Sequence, residues 1–285
     1  MITDMVRSSR PLSWINTAYP FAAAWLLSGG GWEPELIVGT LFFLIPYNFA
    51  LYGINDVFDH ASDLANPRKG GAEGALLDVS LHRPVLIASA ALIIPFLLVL
   101  IPMGTAVSWV ILAVSMLTLV AYSAPPLRTK EIPVLDSLTS SLHFVTPAAY
   151  GAGLAGAEIS AALACALGAF LLWGMASHAF GAVQDIGPDR KAGISSIATA
   201  IGAARTVRLS LALWTTAGLL VLGTGWPWSF AAVLVIPYLL VGMPYRSLTD
   251  EQSGRAHSGW RHFLWINYAA GAALTILLLF GMEMI

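Results

Sequence analysis

The sequence predicts an all-α integral membrane bundle of nine transmembrane helices with its N-terminus in the cytoplasm. Three observations lead there. Of the 285 residues, 57% are hydrophobic and only 11% charged, against about 25% charged in an ordinary soluble domain. Apolar stretches close to the ~20 residues that cross a bilayer recur along the chain. The basic residues fall only in or beside alternate loops between those stretches.

The candidate spans run near Leu12–Ser28, Leu36–Ile54, Pro84–Met103, Thr105–Ser123, Val134–Leu154, Ile159–Val183, Val207–Thr224, Trp226–Met243 and Phe263–Met282. Very short turns at Pro102–Gly104 and Gly223–Pro227 join neighbouring spans. The opening Met1–Arg10 is polar, and the first apolar stretch lacks a small-residue cleavage pattern, so it reads as a retained span and not a signal peptide. Residues 1–285 form one membrane-embedded domain in this reading. Ten Trp suit interfacial belts. The single cysteine, Cys165, sits in an apolar run as an inert thiol.

The charges test the span count. Loops on the N-terminal side are Met1–Pro11, Asn55–Arg83, Ala124–Pro133, Gln184–Thr206 and Pro244–His262. In and beside them lie Arg7, Arg10, Arg68, Lys69, Arg83, Arg128, Lys130, Arg190, Lys191, Arg205, Arg208, Arg246, Arg255 and Arg261, all 14 basic residues of the chain. The opposite loops hold only Glu33, Glu35, Glu158 and Glu283. The positive-inside rule places the basic loops in the cytoplasm, at the plasma membrane. A net charge of −2 argues against nucleic acid as a partner.

Two of these loops carry acidic motifs. The second span ends in Asn55-Asp56-Val57-Phe58-Asp59-His60-Ala61-Ser62-Asp63. At about 100° per residue, Asn55, Asp56, Asp59 and Asp63 share one helix face. Carboxylates so gathered repel one another, and a hard cation relieves the repulsion. Oxygen-only ligands suit Mg²⁺, which takes one or two carboxylates together with substrate phosphates and water. The sixth span ends in Gln184-Asp185-Ile186-Gly187-Pro188-Asp189, where Asp185 and Asp189 stand at i and i+4 unless Gly187-Pro188 bends the helix. Each motif is followed by basic residues and glycine, Arg68-Lys69-Gly70-Gly71 and Arg190-Lys191-Ala192-Gly193. An acidic cluster at one helix end is ordinarily a solvated loop. Acid followed by base twice, on one side of the membrane, points to a polyanion held through metal.

A third segment, Tyr122-Ser123-Ala124-Pro125-Pro126-Leu127-Arg128-Thr129-Lys130, offers Tyr122, Arg128 and Lys130 to the same anion. Its plainer reading is a basic anchor after a helix that ends in proline. Within the spans lie Asn16, Asn48, His143 and His178. Asn48 precedes Asn55 by seven residues and lies on its face; Asn16 and Asn48 either line the site or tie helices together.

At these residues the sequence resembles the UbiA superfamily of intramembrane prenyltransferases. Asn55-Asp56-x-x-Asp59-x-x-x-Asp63 matches the family's first motif, Asp185-x-x-x-Asp189 its second, and Tyr122 with Arg128 and Lys130 its loop after the fourth helix. Further segments are similar to the lycopene elongase branch: Ser9-Arg10-Pro11-Leu12-Ser13-Trp14-Ile15-Asn16, Pro46-Tyr47-Asn48, Asn66-Pro67-Arg68-Lys69-Gly70-Gly71, Asp136-Ser137-Leu138-Thr139-Ser140-Ser141 and Trp173-Gly174-Met175-Ala176-Ser177. His60 departs from relatives that often carry Tyr there.

The resemblance implies a Mg²⁺-dependent enzyme with Asp56, Asp59, Asp63, Asp185 and Asp189 as catalytic acids. Those five with Asn55 would hold two Mg²⁺ ions on a prenyl diphosphate. Arg68, Lys69, Arg128, Lys130, Arg190 and Lys191 would meet the remaining charge, with Asn16, Asn48 and Tyr122 as further donor contacts. Phe49, Tyr52 and Phe58 offer aromatic faces to an allylic cation. The branch implies transfer of a five-carbon, dimethylallyl group to the end of lycopene, drawn sideways from the bilayer, in making fifty-carbon carotenoids. An aromatic acceptor such as a quinone precursor is the alternative. A transporter or channel fits less well, because the acids lie at one membrane face and no pair of Gly/Pro-broken helices marks mid-membrane depth. A purely structural partner of carotenoid enzymes leaves both acidic motifs unexplained.

Overall fold

The computed structural model describes residues 2–65 and 76–282, which form helices and their connecting turns with no strand among them. The chain divides into two compact units. One comprises Met1–Thr129 with His143–Glu158, the other Lys130–Leu142 with Ile159–Ile285.

In the first unit, a short helix α1 (Ile2–Ser8) lies within the opening that the sequence marks as polar loop. It is followed by α2 (Ile15–Leu27), α3 (Pro34–Leu44), α4 (Pro46–Ala65), α5 (His82–Met103) and α6 (Ala106–Ala121). The later part of α7 (Leu135–Leu154) completes it. The core is aromatic: Phe21, Phe42, Phe43, Tyr47 and Tyr150 are fully buried. Phe21 lies 5.4 Å from Phe43 and 5.9 Å from Tyr150, ring centre to ring centre. Such offset and tilted pairs add to the burial energy. A Cβ at Gly151 would strike the carbonyl of Phe21, so only glycine lets α7 approach α2 this closely.

The predicted second span is not one straight helix. It breaks at Ile45, between α3 and α4. Pro46 has no N–H to continue the ladder, and the break frees carbonyls of the last turn of α3. The side chain of Asn48, wholly buried, meets them: Nδ2 lies 2.6 Å from Phe43 O, 3.1 Å from Leu44 O and 2.7 Å from Thr17 Oγ1. Thr17 Oγ1 donates to Phe43 O as well, at 2.7 Å. Asn48→Leu should therefore destabilise the protein by about 2 kcal/mol, seen as a lower melting temperature of the detergent-purified chain. An unchanged melting temperature would leave the break without this support.

In the second unit, the start of α7 joins α8 (Ala161–Val183), α9 (Ile186–Ala192), α10 (Ile197–Ile201), α11 (Ala203–Leu222), α12 (Val235–Gly242) and α13 (Ala256–Gly281). The α8–α11 pair is the most extensive helix packing. Trp214 is fully buried beside Phe180, Tyr238 and Phe263, with ring centres 5.6, 5.7 and 6.1 Å away.

Helix occurs in each of the nine predicted segments. Six helical stretches among the described residues are long and apolar enough to cross a membrane: Pro34–His60, Val79–Met103, Ala161–Val183, Ala203–Leu222, Trp228–Tyr245 and Asp250–Gly281. The other three fall short for identifiable reasons. Helix α2 has 13 residues and α6 has 16, below the ~20 that span the hydrocarbon core. Helix α7 has 20 residues but carries Asp136, His143 and a run of Ser and Thr. The ninth segment begins earlier than the sequence suggests, because α13 starts at Ala256 instead of Phe263.

Candidate active site

The first acidic motif is carried by the C-terminal half of α4. Asp56, Asp59 and Asp63 are 2%, 6% and 7% exposed, and Asn55 is half-buried. Burying three carboxylates within a few residues of one another costs several kcal/mol unless cations or donors meet them. Two arginines do so. Arg10 Nη2 donates to Asp56 Oδ1 at 3.2 Å, and its guanidinium lies 4.6 Å over the Tyr52 ring. Arg128 Nη2 lies 3.7 Å from Asp59 Oδ1, while its Nη1 donates to Phe58 O at 3.1 Å. Ser123 Oγ donates to Asn55 Oδ1 at 2.8 Å.

Arg10 and Arg128 share a further property. Both have left-handed backbones, with φ of 52° and 38°. Non-glycine residues in this region cost about 1–3 kcal/mol each and gather at functional sites. Val134, just before α7, is the other such residue among those described. The two arginines are the ones whose guanidinium groups meet the buried acids.

The donor set fits Mg²⁺. It consists of carboxylate and amide oxygens, the ligands that a hard cation prefers. No three His, Cys, Asp or Glu side chains among the described residues converge as a ready-made metal cage.

The second motif sits at a helix break in the other unit. Helix α8 ends at Val183, and Gln184 and Asp185 form the joint before α9. The sequence marks Gly187-Pro188 as the place to bend; the chain turns two residues earlier. Pro188 then occupies the first turn of α9, where its missing N–H costs nothing. The i, i+4 relation survives the break, since Asp189 N donates to Asp185 O at 2.9 Å. Both acids are half-buried. Gln184 is buried, and its Oε1 lies 2.6 Å from His257 Nδ1, which donates to it in the tautomer protonated at that nitrogen.

The remaining candidates have varied surroundings. Arg68 and Lys69 lie outside the described residues. Tyr122 is half-buried, edge-on to His143 with ring centres 5.1 Å apart. Lys130 is half-buried and Lys191 exposed. Asn16 is exposed, and Asn48 holds the α3–α4 break. Arg190 pairs with Asp250 Oδ2 at 2.8 Å and donates to Thr199 O at 3.0 Å. Sequence reasoning missed Arg10, Ser123 and the Gln184–His257 pair as parts of the site. Arg10 had a faint signal in the Arg10-Pro11 step before the first span; His257 had none.

A multi-pass helical membrane protein with buried, arginine-braced carboxylates at the end of an apolar helix is the class that fold and site define. The chain belongs to the UbiA prenyltransferase family, whose profile matches residues 17–268. It is 50% identical over 272 residues to the lycopene elongase/hydratase of Corynebacterium glutamicum, covering 95% of both chains. It is 49% identical over 282 residues to the C(50) beta-cyclic carotenoids biosynthesis protein LbtBC of Dietzia sp. (strain CQ4). That alignment covers 99% of this chain but spans only 65% of the Dietzia protein. In fold it is similar to a UbiA homolog from Archaeoglobus fulgidus solved with DMAPP and Mg²⁺, with a TM-score of 0.64 at 20% identity over 96% of this chain and 99% of that one. The chain is accordingly an intramembrane prenyltransferase.

Proposed function

We propose that this enzyme transfers a five-carbon dimethylallyl group from its diphosphate to the end of lycopene, in the synthesis of fifty-carbon carotenoids. The near-full-length identity to the Corynebacterium lycopene elongase/hydratase carries the choice of acceptor. The family profile runs across both compact units, which supports treating residues 1–285 as one prenyltransferase domain. In the same reading the chain crosses the plasma membrane nine times, with its N-terminus and both acidic motifs toward the cytoplasm.

Asn55, Asp56, Asp59 and Asp63 would hold one Mg²⁺, and Asp185 and Asp189 a second. Bound there, the metal supplies positive charge to the departing diphosphate, more strongly in the transition state than in the ground state. Arg128, Lys130, Lys191 and the loop residues Arg68 and Lys69 answer the remaining phosphate charge, and Arg10 joins them. Arg190 contributes by anchoring the second motif through Asp250. The allylic C–O bond breaks with its electron pair going to the diphosphate. The terminal alkene of lycopene then supplies the electrons of the new C–C bond. The resulting tertiary cation loses a proton, or takes up water and then loses a proton. Apolar helix walls keep the allylic cation from premature capture by water, and the Tyr52 and Phe58 rings near the first motif can stabilise positive charge.

The test is expression in a bacterial host that accumulates lycopene, with pigments analysed by mass. Lycopene should gain one or two five-carbon units. Untouched lycopene beside folded membrane-inserted protein would overturn the acceptor, and incubation with aromatic acceptors would then be decisive.

A further inference from the structure

Helix α13 opens on a cleft whose wall includes His257, the partner of Gln184, and whose arginines the chemistry above does not use. Its volume is about 460 Å³, and its walls are Gly254, Arg255, His257, Ser258, Arg261, His262 and Trp265. The lining offers two guanidinium groups, two imidazoles, a hydroxyl and an indole N–H, with no carboxylate. Neither Arg255 nor Arg261 makes an ion pair or side-chain hydrogen bond among the described residues. Arg10, Arg128 and Arg190, by contrast, each meet an aspartate. Two exposed guanidinium groups facing one concavity repel one another until an anion joins them.

Below the cleft, the surface of α13 changes character along a single stripe. Arg261, Leu264, Trp265 and Tyr268 stand at i, i+3, i+4 and i+7, on one helix face. Leu264, Trp265 and Tyr268 are 41%, 74% and 57% exposed, and Trp265 and Tyr268 have ring centres 6.1 Å apart. From Arg261 to Tyr268 the helix rises about 10 Å. Cations at the top, an amphipathic aromatic pair beneath and apolar helix beyond reproduce the polarity profile of one phospholipid leaflet. Tryptophan and tyrosine favour the headgroup boundary for this reason. The helix continues to expose Ile276 and Phe280, 61% and 52%, toward its far end, where acyl chains would run.

We propose that this cleft binds the phosphate headgroup of an anionic phospholipid, with Arg255 and Arg261 on the phosphate and Trp265 and Tyr268 against the glycerol and upper acyl region. A neutral lipid offers less to two guanidinium groups, and a soluble phosphate leaves the exposed aromatic stripe uncovered. The site does not depend on which prenyl acceptor the enzyme uses.

The experiment uses the full chain purified in a neutral detergent. Lipids are added and binding is read by native mass spectrometry and by thermal melting. Phosphatidylglycerol should bind and raise the melting temperature, and phosphatidylcholine should do so at least tenfold more weakly. The Arg255→Ala/Arg261→Ala pair alters only exposed side chains, so it should fold and melt like the parent without lipid. It should lose the phosphatidylglycerol response at least tenfold in concentration. Equal responses to both lipids, an undiminished response in the double variant, or protection by inorganic phosphate matching that by phosphatidylglycerol would each overturn the site. Should the double variant melt lower without lipid, Trp265→Ala provides the second test: phosphatidylglycerol binding should weaken, and unchanged binding would equally overturn it.

Discussion

Asp59→Ala should reduce turnover by about a thousandfold or more while leaving folded protein in the membrane. Charge develops on the departing diphosphate, and removing one fixed electrostatic partner in such a site typically costs about 10²–10³ in rate. In the proposed metal-clamp scheme, loss of a metal ligand would remove more, because a bound ion's own charge would be the largest in the site. Asp59 is 6% exposed and faces Arg128, so alanine also takes a carboxylate away from that guanidinium. The same loss is expected of Asp56→Ala and Asp185→Ala. The measurement is pigment mass analysis in a lycopene-accumulating host, with membrane protein quantified alongside. Normal turnover in any of the three variants would sink the metal-clamp scheme. Loss of the protein from the membrane would instead make these acids structural.

The largest effect on stability is expected at a different acid. Asp136 is wholly buried at the start of α7. Its Oδ1 accepts from Ser137 N at 2.7 Å, and its Oδ2 accepts from Ile197 N, also at 2.7 Å. The second bond ties the start of α7 to the start of α10, 61 positions away in the chain. Ser137 Oγ in turn lies 3.2 Å from His178 Nδ1. Asp136→Ala strands a backbone N–H and removes a charge-assisted bond, a loss of about 3 kcal/mol. Thermal melting in detergent should show it clearly. Asp136→Asn keeps one carbonyl acceptor and should fall between alanine and the parent; a parental melting temperature for alanine would refute the assignment.

Much of the architecture was legible because hydropathy and charge are local signals. Apolar runs located the helices of both units, and the four-residue spacing of Asn55, Asp59 and Asp63 puts them visibly on one helix face. The features that were not legible are long-range or compensatory. The break at Ile45 depends on Asn48 and Thr17 serving carbonyls that Pro46 cannot reach, and only the proline hints at it. The joint at Gln184 comes before its obvious breakers, Gly187 and Pro188. Arg10 reaches Asp56 across 46 positions, a pairing that no periodicity encodes. Arg190, which looks in sequence like a phosphate ligand, meets Asp250 because the chain returns to it far downstream.

The joint after α8 also shifts where the second motif's rigidity comes from. Helix α9 has seven residues, too few to hold its shape by its own hydrogen bonds. Its acids are steadied from outside: Asp250 grips Arg190 and caps Ala203 N at 2.7 Å, and His257 holds Gln184. Asp250 and His257 thus work as a splint for the segment that carries the second acidic motif. Substitutions at either position are therefore expected to change the rate while both acidic motifs stay letter for letter the same.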